Sequence, residues 1–287
     1  MTPFSSFWQA GYEGADHINQ HGIRLSMNET NGHLLRIKED YAALKAFGIT
    51  TVRESVGWRL TERDGRYDFS SLDARLEAAQ EYDIQICWTL CHYGWPEDLH
   101  LFSSDFIPRF AAFCAAAADY IAPRSTRTPI YSPNNEISFL SWGLSVGLFT
   151  CSNLPEQDPA DACKRQLIRA TLAGCDAIWE VDSKARIMHC DPLIHIVATE
   201  ASPEARDAAQ SLSNAQFQAW DMLRGTLAPE LGGAHRFLDR RQLLPRQPVG
   251  NAFDGAAALA PGRSSPQAAA HHAGRAATTL SAPNGDF

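Results

Sequence analysis

The sequence predicts an α/β protein of the (β/α)8-barrel type, incomplete, with about five to six βα units and an irregular C-terminal tail. Short apolar runs alternate repeatedly with amphipathic helical patterns, which indicates a parallel sheet joined by helical crossovers. Polar and titratable residues gather where the apolar runs end, and reactive side chains lie there in β/α barrels. A doubly wound open sheet is the alternative. No G-x-G-x-x-G turn follows the first run, which weakens its dinucleotide-binding version.

Five short segments are predicted to be strands because they are apolar and partly β-branched. They are residues 7–11, 50–56, 84–90, 130–132 and 184–189. Five longer segments have helical apolar spacing. They are residues 33–47, 70–82, 103–122, 161–182 and 203–227. Gly48 is the expected C-terminal stop of the first helix, and Ser70 or Ser71 the expected N-cap of the second.

The bulk composition limits the classes of function. The chain has 287 residues, 45% of them hydrophobic, enough for one large domain or two small ones. A net charge of −8 argues against a nucleic-acid partner. No apolar run has the length of a membrane span, and the N-terminus lacks a secretory pattern. The seven cysteines form no C-x-x-C pair, which is typical of reduced thiols, so we expect a cytoplasmic protein.

The composition changes after Asp239, which divides the chain into a barrel domain over residues 1–239 and a tail over 240–287. The tail is rich in alanine and contains no Ile, Trp, Tyr, Glu or Lys. This composition predicts disorder. A second hypothesis is a slip of the reading frame near Asp239, because a misread GC-rich gene gives such a bias. Sequencing the gene through this point decides between them.

The segment IYSPNNEISFLSW, residues 130–142, carries the strongest functional signal. It places Asn135 and Glu136 at the end of a predicted strand. A glutamate can donate a proton, and an asparagine can hold a sugar hydroxyl. His92 ends the preceding strand beside Tyr93 and Trp95, and hydroxyl-binding groups next to flat aromatic faces suit a carbohydrate.

Two further positions have open interpretations. Arg53 lies within a β-branched run. One interpretation is an arginine on an edge strand or on the surface. The other is a cation that keeps a nearby carboxylate ionised and oriented. Glu13 follows the first strand, where loop polarity alone also explains a glutamate.

Together these segments resemble retaining β-glycosidases of the β/α-barrel clan, most closely family 1 glycoside hydrolases. The resemblance covers about residues 4–239 and is carried by four segments in order, FWQAGYEG, TTVRESVGWRLTERDGRYDFSSLD, WTLCHYGWPEDL and SPNNEIS. The family's usual Asn-Glu-Pro is Asn135-Glu136-Ile137 here.

The resemblance implies retaining hydrolysis of a β-glycoside, a small-molecule partner and no cofactor or metal. Glu136 would be the general acid/base, Asn135 and His92 would bind the sugar, and Arg53 would support the nucleophile. Trp95 and Glu13 are further candidates for substrate binding. The mechanism needs a second carboxylate about 5 Å away. In the family it is a glutamate at the end of the seventh strand, and this chain reaches only the fifth strand and the approach to the sixth.

The sequence therefore predicts weak or absent turnover. Two alternatives remain. One is a non-catalytic carbohydrate-binding remnant. The other is a metal-dependent barrel hydrolase that uses His92, His189 and Asp191, although no HxH or HExxH spacing supports it.

Overall fold

A computed structural model describes residues 3–233 of the chain. Its main feature is a five-stranded sheet in which all neighbouring strands are parallel. In chain order, the strands of the described part are β1 Ala10–Gly11, β2 Thr51–Ser55, β3 Glu62–Arg63, β4 Arg66–Tyr67, β5 Gln85–Cys91, β6 Ile130–Asn134 and β7 Arg186–Ile187. Strands β3 and β4 form a separate antiparallel hairpin.

The strand order identifies the sheet as a segment of a barrel. The spatial order is β1-β2-β5-β6-β7, so the five strands lie side by side in the same order in which they occur along the chain. A doubly wound sheet reverses its order at a switch point, and this sheet does not. Within residues 3–233, β1 pairs only with β2 and β7 only with β6. The prediction of an incomplete barrel is thus confirmed over the described residues.

Helices connect and cover the strands. They are α1 Met27–Thr30, α2 Ile37–Ala46, α3 Trp58–Thr61, α4 Asp73–Tyr82, α5 Phe106–Ile121, α6 Ile137–Ser145, α7 Pro159–Val181, α8 Pro203–Ala215 and α9 Gln218–Leu223. The long helices α5 and α7 pack closely at Gly174 of α7, which has no side chain. A Cβ at this position would lie only 2.9 Å from Cys114 Sγ of α5.

The two faces of the sheet have different roles. The outward residues of β5, Trp88 and Leu90, are buried in the main core with the helices. Strand residues alternate between faces, so Cys87 points to the inner side. There it joins a small cluster with Ile130, Met188 and Cys190, against which Phe4 packs. The inner face beyond this cluster, toward the C-terminal ends of the strands, carries polar side chains.

Several helix starts differ from the predictions by a few residues. The expected cap at Ser70 or Ser71 is wrong, because a 3₁₀ turn over Ser70–Leu72 precedes α4 and Leu72 occupies the N-cap position. The amide of Ser70 is satisfied by Asp68 Oδ1 at 3.0 Å instead. A similar turn over His33–Leu35 precedes α2. The predicted helix 203–227 is in fact two helices, α8 and α9.

The predicted strand ends are closer to the structure, except at the two edges of the sheet. The first strand is only Ala10–Gly11, and Phe7 and Trp8 before it are exposed. Gly48 ends α2 as expected, with φ +74°. The predicted tail and the proposed frame slip fall beyond residue 233, outside the described residues. No helix within residues 3–233 is long and apolar enough to cross a membrane.

Candidate functional site

The predicted polar residues converge at the C-terminal ends of the strands. Arg53 lies on β2, His92 follows β5, and Asn135 and Glu136 follow β6. Strand β2 lies between β1 and β5, so Arg53 is not on an edge strand. The strands are parallel, and their carboxyl ends therefore meet at one rim.

A chain of hydrogen bonds joins these residues. The Arg53 guanidinium donates from Nε to Thr89 Oγ1 at 2.9 Å and from Nη2 to Asn135 Oδ1. Asn135 Nδ2 donates to the Tyr93 hydroxyl oxygen at 2.9 Å, and that hydroxyl donates to Glu136 Oε2. Asn135 thus links the cation of β2 to the group that holds Glu136.

The backbone of Glu136 is held in an uncommon conformation. Its φ of 44° and ψ of 62° are left-handed, and α6 begins at the next residue. The amide of Asn135 donates to Cys91 O at 3.0 Å, and the amide of Glu136 donates to Cys190 O at 3.1 Å. Non-glycine residues adopt this conformation when the surroundings fix it, often at functional sites. Both neighbouring strand ends therefore fix the direction of the Glu136 side chain.

Glu136 is buried, with only 6% of the residue exposed. Burial raises its pKa, and the charges of Asp191 and Glu13 act in the same direction. The hydrogen bond from Tyr93 and the charge of Arg53 oppose the rise without cancelling it. A buried carboxyl with a raised pKa can carry a proton closer to neutral pH and transfer it, as a general acid must.

His92 is buried and held neutral. Its Nδ1 lies 3.0 Å from Ser55 Oγ, and its Nε2 lies 3.4 Å from Glu13 Oε1. Burial lowers the pKa of His92 well below its usual value, and the charges of Arg53 and His17 lower it further. A neutral imidazole has one donor and one acceptor nitrogen, which suits contact with hydroxyl groups.

Glu13 joins the cluster from the first strand. Its Oε1 accepts from the amide of Ala15 at 2.9 Å, and its side chain is 55% exposed. The loop that carries it approaches the His92 loop closely: the amide of Asp16 donates to His92 O at 3.0 Å. Gly94 permits this approach, because a Cβ at Gly94 would lie 1.7 Å from Asp16 O.

The described contacts of Trp95 lie elsewhere. Its indole Nε1 donates to Leu99 O at 3.1 Å, and its ring packs edge-on against Phe106 of α5. The structure therefore brings five predicted residues together, Glu13, Arg53, His92, Asn135 and Glu136, and shows Trp95 packed toward a helix. A role for Trp95 in binding stays a prediction.

Sequence reasoning missed the role of Tyr93. The sequence identifies this residue only as an aromatic neighbour, whereas the structure shows its hydroxyl between Asn135 and Glu136. Its backbone is left-handed, with φ 77°. Its ring packs against Phe139 and Phe149. Its position directly after the strand-end histidine was the available signal, but a left-handed tyrosine cannot be inferred from sequence.

The residues of the metal alternative do not form one set of ligands. His189 Nε2 lies 2.9 Å from Asp191 Oδ2, while the described contacts of His92 are with Ser55 and Glu13. Among residues 3–233, no group of three or more His, Cys, Asp or Glu side chains is arranged to hold a metal ion.

The described rim thus carries a glutamate with a raised pKa, a neighbouring asparagine and a half-buried arginine. No protein-family model and no curated protein matches the sequence. Solved structures do match.

The matching structures are glycosidases and related enzymes. The virulence factor SghA from Agrobacterium tumefaciens has a TM-score of 0.56 and 19% identity over 77% of this chain and 49% of its own. The family 1 β-glucosidase from Thermotoga maritima has a TM-score of 0.54 and 18% identity over 73% and 51%. The AHE enzyme from Alicyclobacillus herbarius has a TM-score of 0.56 and 22% identity over 64% and 42%.

The chain thus has a family 1-like β-glycosidase fold, as the resemblance implied, and spans about half the length of these structures. At these identities the likeness concerns the fold.

Proposed function

We propose that this chain is of glycosidase lineage and binds a β-glycoside at the rim formed by β2, β5 and β6, with Glu136 as the general acid/base. The observation that supports the proposal best is the state of Glu136, which is buried, has a raised pKa and is hydrogen-bonded through Tyr93 and Asn135 to Arg53. The partner would be a small molecule.

In the proposed reaction, protonated Glu136 transfers its proton to the glycosidic oxygen while a nucleophilic carboxylate forms a bond to the anomeric carbon and the glycosidic bond breaks. Asn135 and neutral His92 hold sugar hydroxyls. Arg53 keeps Asn135 in place and supplies positive charge beside the reacting centre. Glu13, half-exposed beside His92, accepts hydrogen bonds from the same sugar.

Retaining hydrolysis also requires a nucleophilic carboxylate about 5 Å from the acid. The sequence identifies none with that role in this chain. We therefore propose that binding persists while turnover is weak or absent, so non-catalytic carbohydrate binding is the second candidate function. The probes come from the similar structures: SghA was solved with the substrate analogue salicin, and the Thermotoga maritima β-glucosidase with deoxynojirimycin.

The test combines calorimetry with salicin and deoxynojirimycin and kinetics with a panel of aryl β-glycosides. We expect binding without appreciable turnover. We expect Glu136→Gln to weaken deoxynojirimycin binding about tenfold, because a charge-assisted hydrogen bond contributes about 1.5 kcal/mol.

The matched control is Glu77→Gln, an exposed glutamate on α4, which should leave binding unchanged. Absence of binding to every probe would contradict the proposed function. Rapid turnover abolished by Glu136→Gln would instead show that a nucleophile is present and would refute the non-catalytic form.

A further inference from the structure

Two consecutive residues after β7 hold the backbone on both sides of Glu136. Cys190 O accepts from the Glu136 amide at 3.1 Å. Asp191 Oδ1 accepts from the Ser138 amide at 2.9 Å, and Asp191 Oδ2 accepts from Ser138 Oγ at 3.1 Å. The segment after the fifth strand of the sheet thus fixes the residue at the end of the fourth.

This arrangement supplies a hydrogen-bond acceptor for a backbone amide in the first turn of α6. The first amides of a helix have no partner within the helix, and the side chain of the N-cap residue usually accepts from one of them. Glu136 is the N-cap residue of α6, but its side chain makes no capping hydrogen bond and is bonded to Tyr93 instead. Asp191 supplies the missing cap from another strand, and its negative charge suits the positive end of a helix.

Asp191 is itself held from several sides. Its side chain is 2% exposed, and Oδ2 lies 2.9 Å from His189 Nε2. The ring of His189 packs against Trp220 of α9. Lys164 of α7, buried and hydrogen-bonded to Gln218 at 2.8 Å, adds a favourable charge. The carboxylate therefore has little freedom to follow a movement of Glu136.

We propose that Asp191 is a positioning residue for Glu136: it caps α6 in the place of Glu136, so the Glu136 carboxyl remains bonded to Tyr93 at the rim. The proposal rests on the proposed function for the chemical role of Glu136, whereas its structural content does not need a sugar. The negative charge of Asp191 also contributes to the raised pKa of Glu136, after the larger effect of burial.

The test is a pH titration of the Glu136 carboxyl by carbon-13 NMR, without sugar, on the full chain labelled at glutamate side chains. The signal is assigned by its loss in Glu136→Gln. Asp191→Asn keeps an oxygen for the Ser138 amide but removes the charge. We expect the pKa of Glu136 to fall in this variant, because the negative charge of Asp191 helps to raise it. Unaffected titration in Asp191→Asn would overturn the proposal.

The control is Asp158→Asn, which alters the cap of α7, where Asp158 Oδ1 accepts from the Asp161 amide at 3.2 Å. It should leave the Glu136 titration unchanged. If Asp191→Asn does not fold, Ser138→Ala decides. It removes one donor to Asp191, so the pKa of Glu136 should rise, and an unchanged value would overturn the proposal.

Calorimetry with salicin separates this inference from the proposed function. If the protein binds salicin but the pKa of Glu136 is the same in Asp191→Asn as in the native chain, only the positioning role is overturned. A shifted titration in a protein that binds no glycoside supports the positioning role and contradicts the proposed function.

Discussion

At the scale of single residues, the site depends on one glutamate whose environment is set by its neighbours. Burial raises the pKa of Glu136, and Tyr93 and Arg53 moderate the rise. The sequence could indicate Glu136, Asn135, His92, Arg53 and Glu13 because each stands at or near a strand end. The left-handed backbone of Tyr93 depends on tertiary contacts. The sequence therefore does not predict the hydrogen bond between Tyr93 and Glu136.

The Tyr93 hydroxyl should lower the pKa of Glu136, because it donates a hydrogen bond to the carboxylate. We expect Tyr93→Phe to raise that pKa. The measurement is the same carboxyl titration by NMR. Tyr120→Phe is a matched control, since Tyr120 also donates to a carboxylate, that of Asp73, at an exposed position. A fall or no change in Tyr93→Phe would show that this hydrogen bond is not formed in solution.

At the scale of elements, a buried polar network joins β2 to α2 on the outer face of the sheet. His33 Nε2 lies 2.9 Å from Glu54 Oε1 of β2, and His33 Nδ1 lies 2.6 Å from Asp40 Oδ2 of α2. Tyr41 and Arg75 also donate to Glu54. The sequence predicted β2 and α2 but not this network, because a buried glutamate in a strand is acceptable only with partners that distant segments supply.

The network should make stability depend on pH. Burial lowers the pKa of His33, but the hydrogen bonds and charges of Glu54 and Asp40 outweigh it, so the net change is a rise. A folded pKa above the unfolded value stabilises the fold fully below about pH 6.5. This stabilisation is lost as the pH rises through the folded pKa of His33.

We therefore expect the free energy of unfolding, from urea titrations between pH 6 and 9, to fall with rising pH more steeply in the native chain than in His33→Gln. At pH 6, His33→Gln should lose about 1 to 2 kcal/mol, since Glu54 loses a buried partner. Exposed His21 provides the control, His21→Gln, which should follow the native curve. Parallel curves for the native chain and His33→Gln would exclude a charged His33 in the fold.

At the scale of the whole molecule, the alternation of strands and helices was enough to predict a parallel barrel type, and the sequential strand order agrees with it. The sheet edges were harder to predict. Strands β1 and β7 have two residues each in the structure, whereas longer runs were expected. An edge strand is paired on one side only, and apolar composition alone does not fix how far its pairing extends.

The region after β7 should promote self-association. Leu193, Ile194 and Val197 are exposed there, next to a strand whose pairing within residues 3–233 is with β6 only. Unpaired edges beside apolar residues favour association. We expect sedimentation velocity to show association that increases with concentration and decreases in Leu193→Lys. Leu35→Lys, at an exposed leucine before α2, should not reduce it. Equal association in the two variants would refute a role for this region.

The proposed function requires that the carboxyl of Glu136 faces a saccharide at the rim of the parallel strands. The most direct measurement is the carbon-13 signal of the Glu136 carboxyl during addition of deoxynojirimycin at constant pH. We expect a saturable shift of this signal, with the same affinity that calorimetry gives, and no comparable shift at Glu77. Saturable binding that leaves the Glu136 signal in place would contradict the claim.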